Sequence, residues 1–200
     1  MSFVSASATA PGKWILFGEH FVVEGAPALV WPLETRGLRV RARRLEGTPG
    51  LRISSDHGDP GAQRLAERLL ARRSLPLGDG LEIQIDSTLP VGHGLGSSAA
   101  LVVAMSEALG LLDGDESRAP GTLPSDQGLQ ELRRHEEIFH QRSSGVDIAC
   151  VASRRALRYQ RSRSGTPQGL LDAAPPPVVL VLSGSGRGTR DVQALATRRV

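Results

Sequence analysis

Three glycines at alternate positions, Gly92, Gly94 and Gly96, stand between a strand pattern and an unbroken apolar run. Upstream, Leu81, Ile83 and Ile85 alternate with Glu82, Gln84 and Asp86, the period of a half-buried strand. Downstream, Ala99 to Leu112 is apolar almost all round, which predicts a buried helix. Strand, glycine loop and helix in that order restrict the chain to folds that mix sheet with helix. Alternate glycines let the backbone approach a bound anion with its N–H groups turned inward. The helix behind them offers unpaired N–H groups and the positive end of its dipole to the same anion. Ser97 and Ser98 add hydroxyls suited to phosphate oxygens or a hard cation. The loop has neither the Gly-Lys-Ser/Thr ending of a Walker A loop nor the spacing of a dinucleotide fingerprint. On its own it supports two readings: a phosphate cradle, or a turn whose glycines only permit close strand–helix packing.

Further patterns fill in the mixed class. Residues 14–17 and 21–31 are apolar, split by Gly18-Glu19-His20 and punctuated by Gly25 and Pro27, which predicts strands joined by a tight turn. Leu38 and Val40 alternate with Arg39, Arg41 and Arg43, a half-buried strand with an arginine face. Gly58 to Gly61 reads as a loop, and Ala62 to Arg73 as a helix from the spacing of Leu65, Ala66, Leu69 and Leu70. Asp113 to Gly128 reads as a surface loop, Leu129 to Phe139 as a charged helix and Ser143-Ser144-Gly145 as a turn. Pro175-Pro176-Pro177 precedes an apolar strand at Val178 to Leu182, and only 18 residues follow it.

Composition excludes several function classes. With 40% apolar and 22% charged residues, the 200-residue chain has the material for a core and is not a disordered one. A single cysteine, Cys150, rules out an intramolecular disulfide or a cysteine-based zinc cluster. The N-terminus shows neither the basic nor the apolar region of a secretory signal. The uncharged stretch Leu89 to Ser106 contains Pro90, three glycines and His93, so it reads as loop then helix and not as a membrane span. The expected location is the cytoplasm, with no membrane contact. Cations exceed anions by only 24 to 21, and aromatic residues make up 4% of the chain. The arginine runs Arg36 to Arg44 and Arg154 to Arg163 therefore read as solvated faces and not as a nucleic-acid surface.

Two further features bear on chemistry. The chain uses arginine 23 times and lysine once, at Lys13. A compact, flexible ammonium differs chemically from a planar guanidinium, although a single residue does not exclude chance. Glu136 and Asp147 lie eleven residues apart across the turn at Ser143 to Gly145. If Glu136 ends its helix, the turn can fold Asp147 back toward it, so that one carboxylate holds a magnesium ion while the other accepts a proton or steadies a nucleophilic hydroxyl. Spacing alone favours two solvated acids instead. His135 and His140 flank Glu136 but lack a third ligand for zinc.

Taken together, these motifs resemble a known family. The segment from Pro11-Gly12-Lys13-Trp14 through Gly18-Glu19-His20 to Gly25-Ala26-Pro27-Ala28-Leu29 resembles the opening motif of mevalonate kinases, members of the GHMP kinase superfamily. The loop from Pro90 to Ala100 is similar to the superfamily's phosphate-binding motif, and His140 to Asp147 resembles the segment ending in its catalytic aspartate. Ala156-Leu157-Arg158-Tyr159 and Ser183 to Arg190 fit further counterparts in the same order.

The resemblance implies an α+β fold. Residues 1–177 would form the superfamily's N-terminal ATP-binding domain, a mixed sheet packed on helices with a left-handed βαβ crossover. Residues 178–200 would begin an incomplete ferredoxin-like C-terminal domain. It implies ATP- and Mg²⁺-dependent phosphorylation of the C5 hydroxyl of mevalonate. Asp147 and Lys13 would be catalytic, with Ser98 and Glu136 holding Mg²⁺. Lys13, Ser87, Gly92, His93, Gly94, Leu95, Gly96, Ser97 and Ser98 would contact ATP, and Glu19, His20 and Thr189 would lie near the substrate. The sequence departs from the family at three places. His-Gly-x-Pro-Ser-Gly reads His140-Gln141-Arg142-Ser143-Ser144-Gly145, and a usual Gly-Gly pair is Arg154-Arg155. The third superfamily motif is not found. That last departure implies a truncated chain, a homodimer, or a missing half supplied elsewhere. The alternatives are an inactive or partner-dependent nucleotide-binding fragment, and a related kinase with another small hydroxylated acceptor.

Overall fold

The computed structural model describes residues 5–56, 60–71, 73, 80–115, 124–140, 143–160 and 174–182. Its frame is a mixed five-stranded sheet of β1 (Ser5–Phe17), β2 (Ala28–Leu45), β3 (Leu51–Ser55), β4 (Gly80–Ser87) and β5 (Leu157–Tyr159). The order is β1-β2-β4-β3, with β5 paired to β2. β2 is the spine: β1 runs antiparallel along it, β5 pairs with Ala28 to Val30, and β4 pairs with Leu38 to Leu45. Only β3 and β4 pair in parallel, joined through the helix α1 (Pro60–Leu70). The other helices are α2 (Ser97–Leu112), α3 (Asp126–Glu136) and α4 (Val146–Ser153). α2 and α4 lie on β1 and β2, with α3 against both helices.

The alternation read in β2 holds. Leu38, Val40 and Ala42 are buried under the helices, while Arg39, Arg41 and Arg43 face out. Arg41 pairs with Asp86 at 3.2 Å and Arg43 with Glu82 at 2.8 Å, so the arginine face is partly neutralised by acids of the neighbouring strand. α2 is buried on nearly every side, because it has the sheet on one flank and the other helices on the rest. Ala99, Val102, Met105 and Leu109 carry the centre of the core.

Several sequence expectations need correction. Residues 21–31 do not form one strand: Phe21–Glu24 is a 3-10 helix, and β2 begins only at Ala28. Gly18 and Gly25, at φ 88° and 98°, turn the chain at both ends of that helix, and Val22 donates its N–H to the Gly18 carbonyl at 3.0 Å. An apolar run bracketed by two left-handed glycines curls instead of extending. α3 begins three residues before the expected Leu129, inside the presumed loop, because Ser125 caps it by accepting the Gly128 N–H at 3.2 Å. α1 starts at Pro60 and ends at Leu70, short of Arg73. Val178 to Leu182 is not a strand. It carries no regular element, and Val179 and Val181 are 88% and 87% exposed. Composition suits a strand there, but no described segment pairs with it. β3 and α4 were not foreseen. Among the described residues, no helix is long and apolar enough to cross a membrane.

Candidate active site

The site is assembled where β1, the glycine loop, the end of α3 and the start of α4 meet. Lys13 lies on β1 with its side chain only 3% exposed. Its N–H donates to the Leu95 carbonyl at 2.9 Å, which ties the strand to the loop. Across from it, Nζ lies 3.0 Å from Oδ1 of Asp147, in the first turn of α4. Burial works against the ammonium, but the charges of Asp147, Glu19 and Glu136 outweigh it and hold the Lys13 pKa above the usual lysine value. Lys13 is therefore a fixed cation at neutral pH and not a base.

Gly92, Gly94 and Gly96 all take left-handed backbones, at φ 77°, 72° and 75°. Gly96 is constrained twice, since a Cβ there would sit 2.7 Å from Cγ of Lys13. It is also the N-cap of α2, so no side chain closes off the first turn of that helix. The loop divides by burial. Leu95 and Gly96 are buried against β1, whereas Gly92 and Gly94 are exposed, and Ser97 and Ser98 stand half-buried at the helix start. His93 turns back on its own loop, with Nδ1 2.8 Å from the Val91 carbonyl.

Glu136 is the last residue of α3 and 2% exposed, so the reading of two solvated acids fails for it. Burial first, and the charge of Asp147 second, push its pKa up to about 8, against the opposing pull of Ser143, Lys13 and Arg133. Ser143 donates its hydroxyl to Oε2 of Glu136 and accepts the Gly145 N–H at 3.1 Å. Ser98 Oγ lies 2.9 Å from Nε2 of His140, and the His140 backbone N–H donates to the Glu136 carbonyl at 3.3 Å. Ser98 and Glu136 thus approach the same helix end. The donor set suits magnesium: two hard oxygens, completed by water and phosphate. Glu136 is also almost wholly withdrawn from water, so a bound cation would offset the cost of keeping its carboxylate charged there. Among the described residues no group of three or more His, Cys, Asp or Glu is arranged to hold a metal.

The remaining expected site residues are more dispersed. Glu19 and His20 are exposed, and Oε1 of Glu19 hangs over the loop, 3.8 Å from where a Cβ on Gly94 would stand. Ser87 lines a cleft of about 720 Å³ together with Pro11, Gly37, Asp56 and Thr88. Its hydroxyl accepts the Leu89 N–H at 3.1 Å. Thr189 lies outside the described residues. Sequence reasoning gave no role to Tyr159, the only tyrosine. Its ring is buried and its hydroxyl donates to the Ser144 carbonyl at 2.7 Å, fixing the turn that precedes Asp147. A lone tyrosine in an apolar strand was the available signal, because a buried phenol needs an acceptor.

With this geometry in place, the comparisons with known proteins define the class. Residues 62–155 match the family described as GHMP kinases N terminal domain, and the chain belongs to that kinase family. The relatives it matches include mevalonate kinases. That of Thermococcus onnurineus is 31% identical over 96% of this chain and 61% of its own length. That of Archaeoglobus fulgidus is 37% identical over 70% of this chain and 48% of its own. Among solved structures, L. major mevalonate kinase in complex with R-mevalonate superposes with a TM-score of 0.68 at 27% identity, covering 84% of this chain and 54% of that one. The chain thus spans about three fifths of the length of the first of these relatives.

Proposed function

We propose that this chain carries the nucleotide-binding and phosphoryl-transfer half of a mevalonate kinase, phosphorylating the C5 hydroxyl of mevalonate from ATP. The observation that carries the reading is the 3.0 Å contact of Lys13 Nζ with Asp147 Oδ1, anchored to the glycine loop through the Leu95 carbonyl. Phosphoryl transfer asks for positioning and charge neutralisation more than for covalent chemistry. In this reading Asp147 accepts the hydroxyl proton, while Lys13 lowers the hydroxyl's pKa and offsets charge on the transferring phosphoryl group. The loop N–H groups and the open first turn of α2 face the phosphates. The cleft lined by Ser87 and Thr88, just upstream of the loop in the chain, would offer space for the rest of the nucleotide. Ser98 and Glu136 would hold Mg²⁺, which supplies charge neutralisation on the phosphate oxygens. Glu19 and His20 would stand near the acceptor, joined by Thr189 from the start of a C-terminal domain after Pro177.

The test is coupled ADP release by the 200-residue chain with Mg·ATP and mevalonate, beside Asp147→Ala. Mevalonate-dependent turnover lost in the variant supports the reading. ATP-induced thermal stabilisation without turnover assigns the chain instead as a nucleotide-binding fragment, and the absence of both signals rejects it as a functional unit on its own.

A further inference from the structure

Among the described residues, Arg154 is the one residue other than glycine with a left-handed backbone, at φ 54°. It closes the C-terminal end of α4, donating its N–H to the Cys150 carbonyl at 2.9 Å. Glycine is the residue such a position favours, so an arginine there needs compensation from its side chain. The compensation is visible. Nη2 donates to the Thr9 carbonyl and to Oε2 of Glu107 at 3.0 Å. Thr9 precedes Lys13 on β1, and Glu107 lies on α2, the helix that opens at the glycine loop. One guanidinium thereby joins the three elements that present the ammonium, the carboxylate and the loop. With side-chain exposures of 21% and 9%, the Arg154–Glu107 pair is shielded from most solvent screening.

We propose that Arg154 is a positioning residue: by clamping the end of α4 to β1 and α2, it fixes the approach of Asp147 to Lys13. Its consequence for turnover rests on the kinase reading above, whereas the clamp itself does not. Simple helix capping would leave the Lys13–Asp147 contact unchanged when the guanidinium is removed.

Lys13 is the only lysine, so its amine reports on that contact directly, and peptide mass spectrometry separates it from the N-terminal amine. The experiment follows acetylation of Lys13 by limiting acetic anhydride in the full chain and in Arg154→Gly, Arg154→Lys and Glu107→Gln. Circular dichroism confirms that each is folded, and kcat and KM are recorded in parallel. Arg154→Gly should label roughly tenfold faster, because freeing the end of α4 raises the open population. Its kcat should fall by roughly tenfold to a hundredfold with KM nearly constant, the signature of misplaced reacting groups. Arg154→Lys should recover part of both losses, since an ammonium can still reach one of the two acceptors. Glu107→Gln, which leaves the residue 154 backbone alone, should move in the same direction by a smaller factor.

Labelling of folded Arg154→Gly and Glu107→Gln at the wild-type rate overturns the clamp. Should Arg154→Gly fail to fold, Glu107→Gln and Arg154→Lys decide by the same criterion. A wild-type chain with protected Lys13 but no mevalonate-dependent turnover overturns the kinase reading instead, and the labelling comparison still judges the clamp.

Discussion

The Lys13 ammonium lies 3.0 Å from Oδ1 of Asp147, and the two side chains are unequally buried, at 3% and 25% exposure. That inequality separates the effects of removing each partner. Asp147→Ala removes the nearest counter-charge from a cation almost out of reach of water, and breaking a buried pair in this way costs about 3 kcal/mol. Lys13→Met leaves a carboxylate that water still reaches and fills the space with an apolar chain, so it should cost clearly less. Urea unfolding of both variants gives the order directly. The reverse order would mean that desolvation of Lys13 is not the dominant cost. On the proposed kinase reading either change should lower turnover by roughly three orders of magnitude, because each would remove a group acting on the transferring phosphoryl or its acceptor.

Gly96 and Gly94 provide an internal control for the loop. Both are left-handed, at φ 75° and 72°, so Ala at either position carries a similar backbone strain of roughly 1–2 kcal/mol. Only at Gly96 would the new methyl collide with Lys13, 2.7 Å from its Cγ, whereas at Gly94 the nearest atom is 3.8 Å away. Gly96→Ala should therefore lower kcat by roughly a hundredfold and cost more stability than Gly94→Ala, whose kinetic loss should be far smaller. Thermal unfolding together with steady-state kinetics separates strain from collision. Equal kinetic losses would show that backbone strain, and not displacement of Lys13, governs the loop.

The fold class and the loop were legible because both depend on local pattern. The alternation in β4 and the buried face of β2 read directly as strand, and the continuous apolar run of α2 read as a helix buried on all sides. What local pattern could not resolve was contact between distant elements. The burial of Glu136 depends on α4 folding back over the end of α3, and spacing alone favoured two solvated acids. The Ser98–His140 contact and the Tyr159 anchor likewise join segments far apart in the chain. The 3-10 helix at Phe21–Glu24 was misread because apolar composition does not distinguish a strand from a single tight turn bounded by glycines.

The buried Glu136 carboxyl makes stability depend on pH in a stated direction. Its pKa rises from 4.5 to about 8 on folding. Between those values the folded chain retains a proton that the unfolded chain has released. Its stabilising contribution is therefore complete below the unfolded pKa and lost as pH rises through the folded one. The slope for one proton is up to about 1.4 kcal/mol per pH unit. Glu136→Gln keeps the shape and an acceptor for Ser143 but cannot titrate, so its stability should be flatter across this window. Urea unfolding of both proteins from about pH 5 to about pH 9 measures the difference. If Glu136 holds Mg²⁺ as proposed, saturating Mg·ATP should flatten the wild-type curve as well, since the ion's positive charge beside the carboxyl favours its ionised form. Parallel curves for wild type and variant would show that Glu136 titrates normally.

Core and surface should respond oppositely to loss of apolar groups. Leu101 and Met105 lie inside α2 at 2% and 0% exposure, packed between the sheet and the other helices. Truncating either to Ala leaves a cavity that the crowded layer cannot fill, at a cost of roughly 2–5 kcal/mol. Val179 and Val181 are about as apolar but almost fully exposed. Val179→Ser and Val181→Ser should each shift stability by less than about 0.5 kcal/mol. Their effect should appear in association, because Val178 to Leu182 presents a continuous exposed apolar segment in which self-association is favoured. Light scattering against concentration should show weaker association for the double serine variant than for wild type, while the α2 variants change the unfolding midpoint. Destabilisation by the serine changes would mean that the segment is packed against the domain.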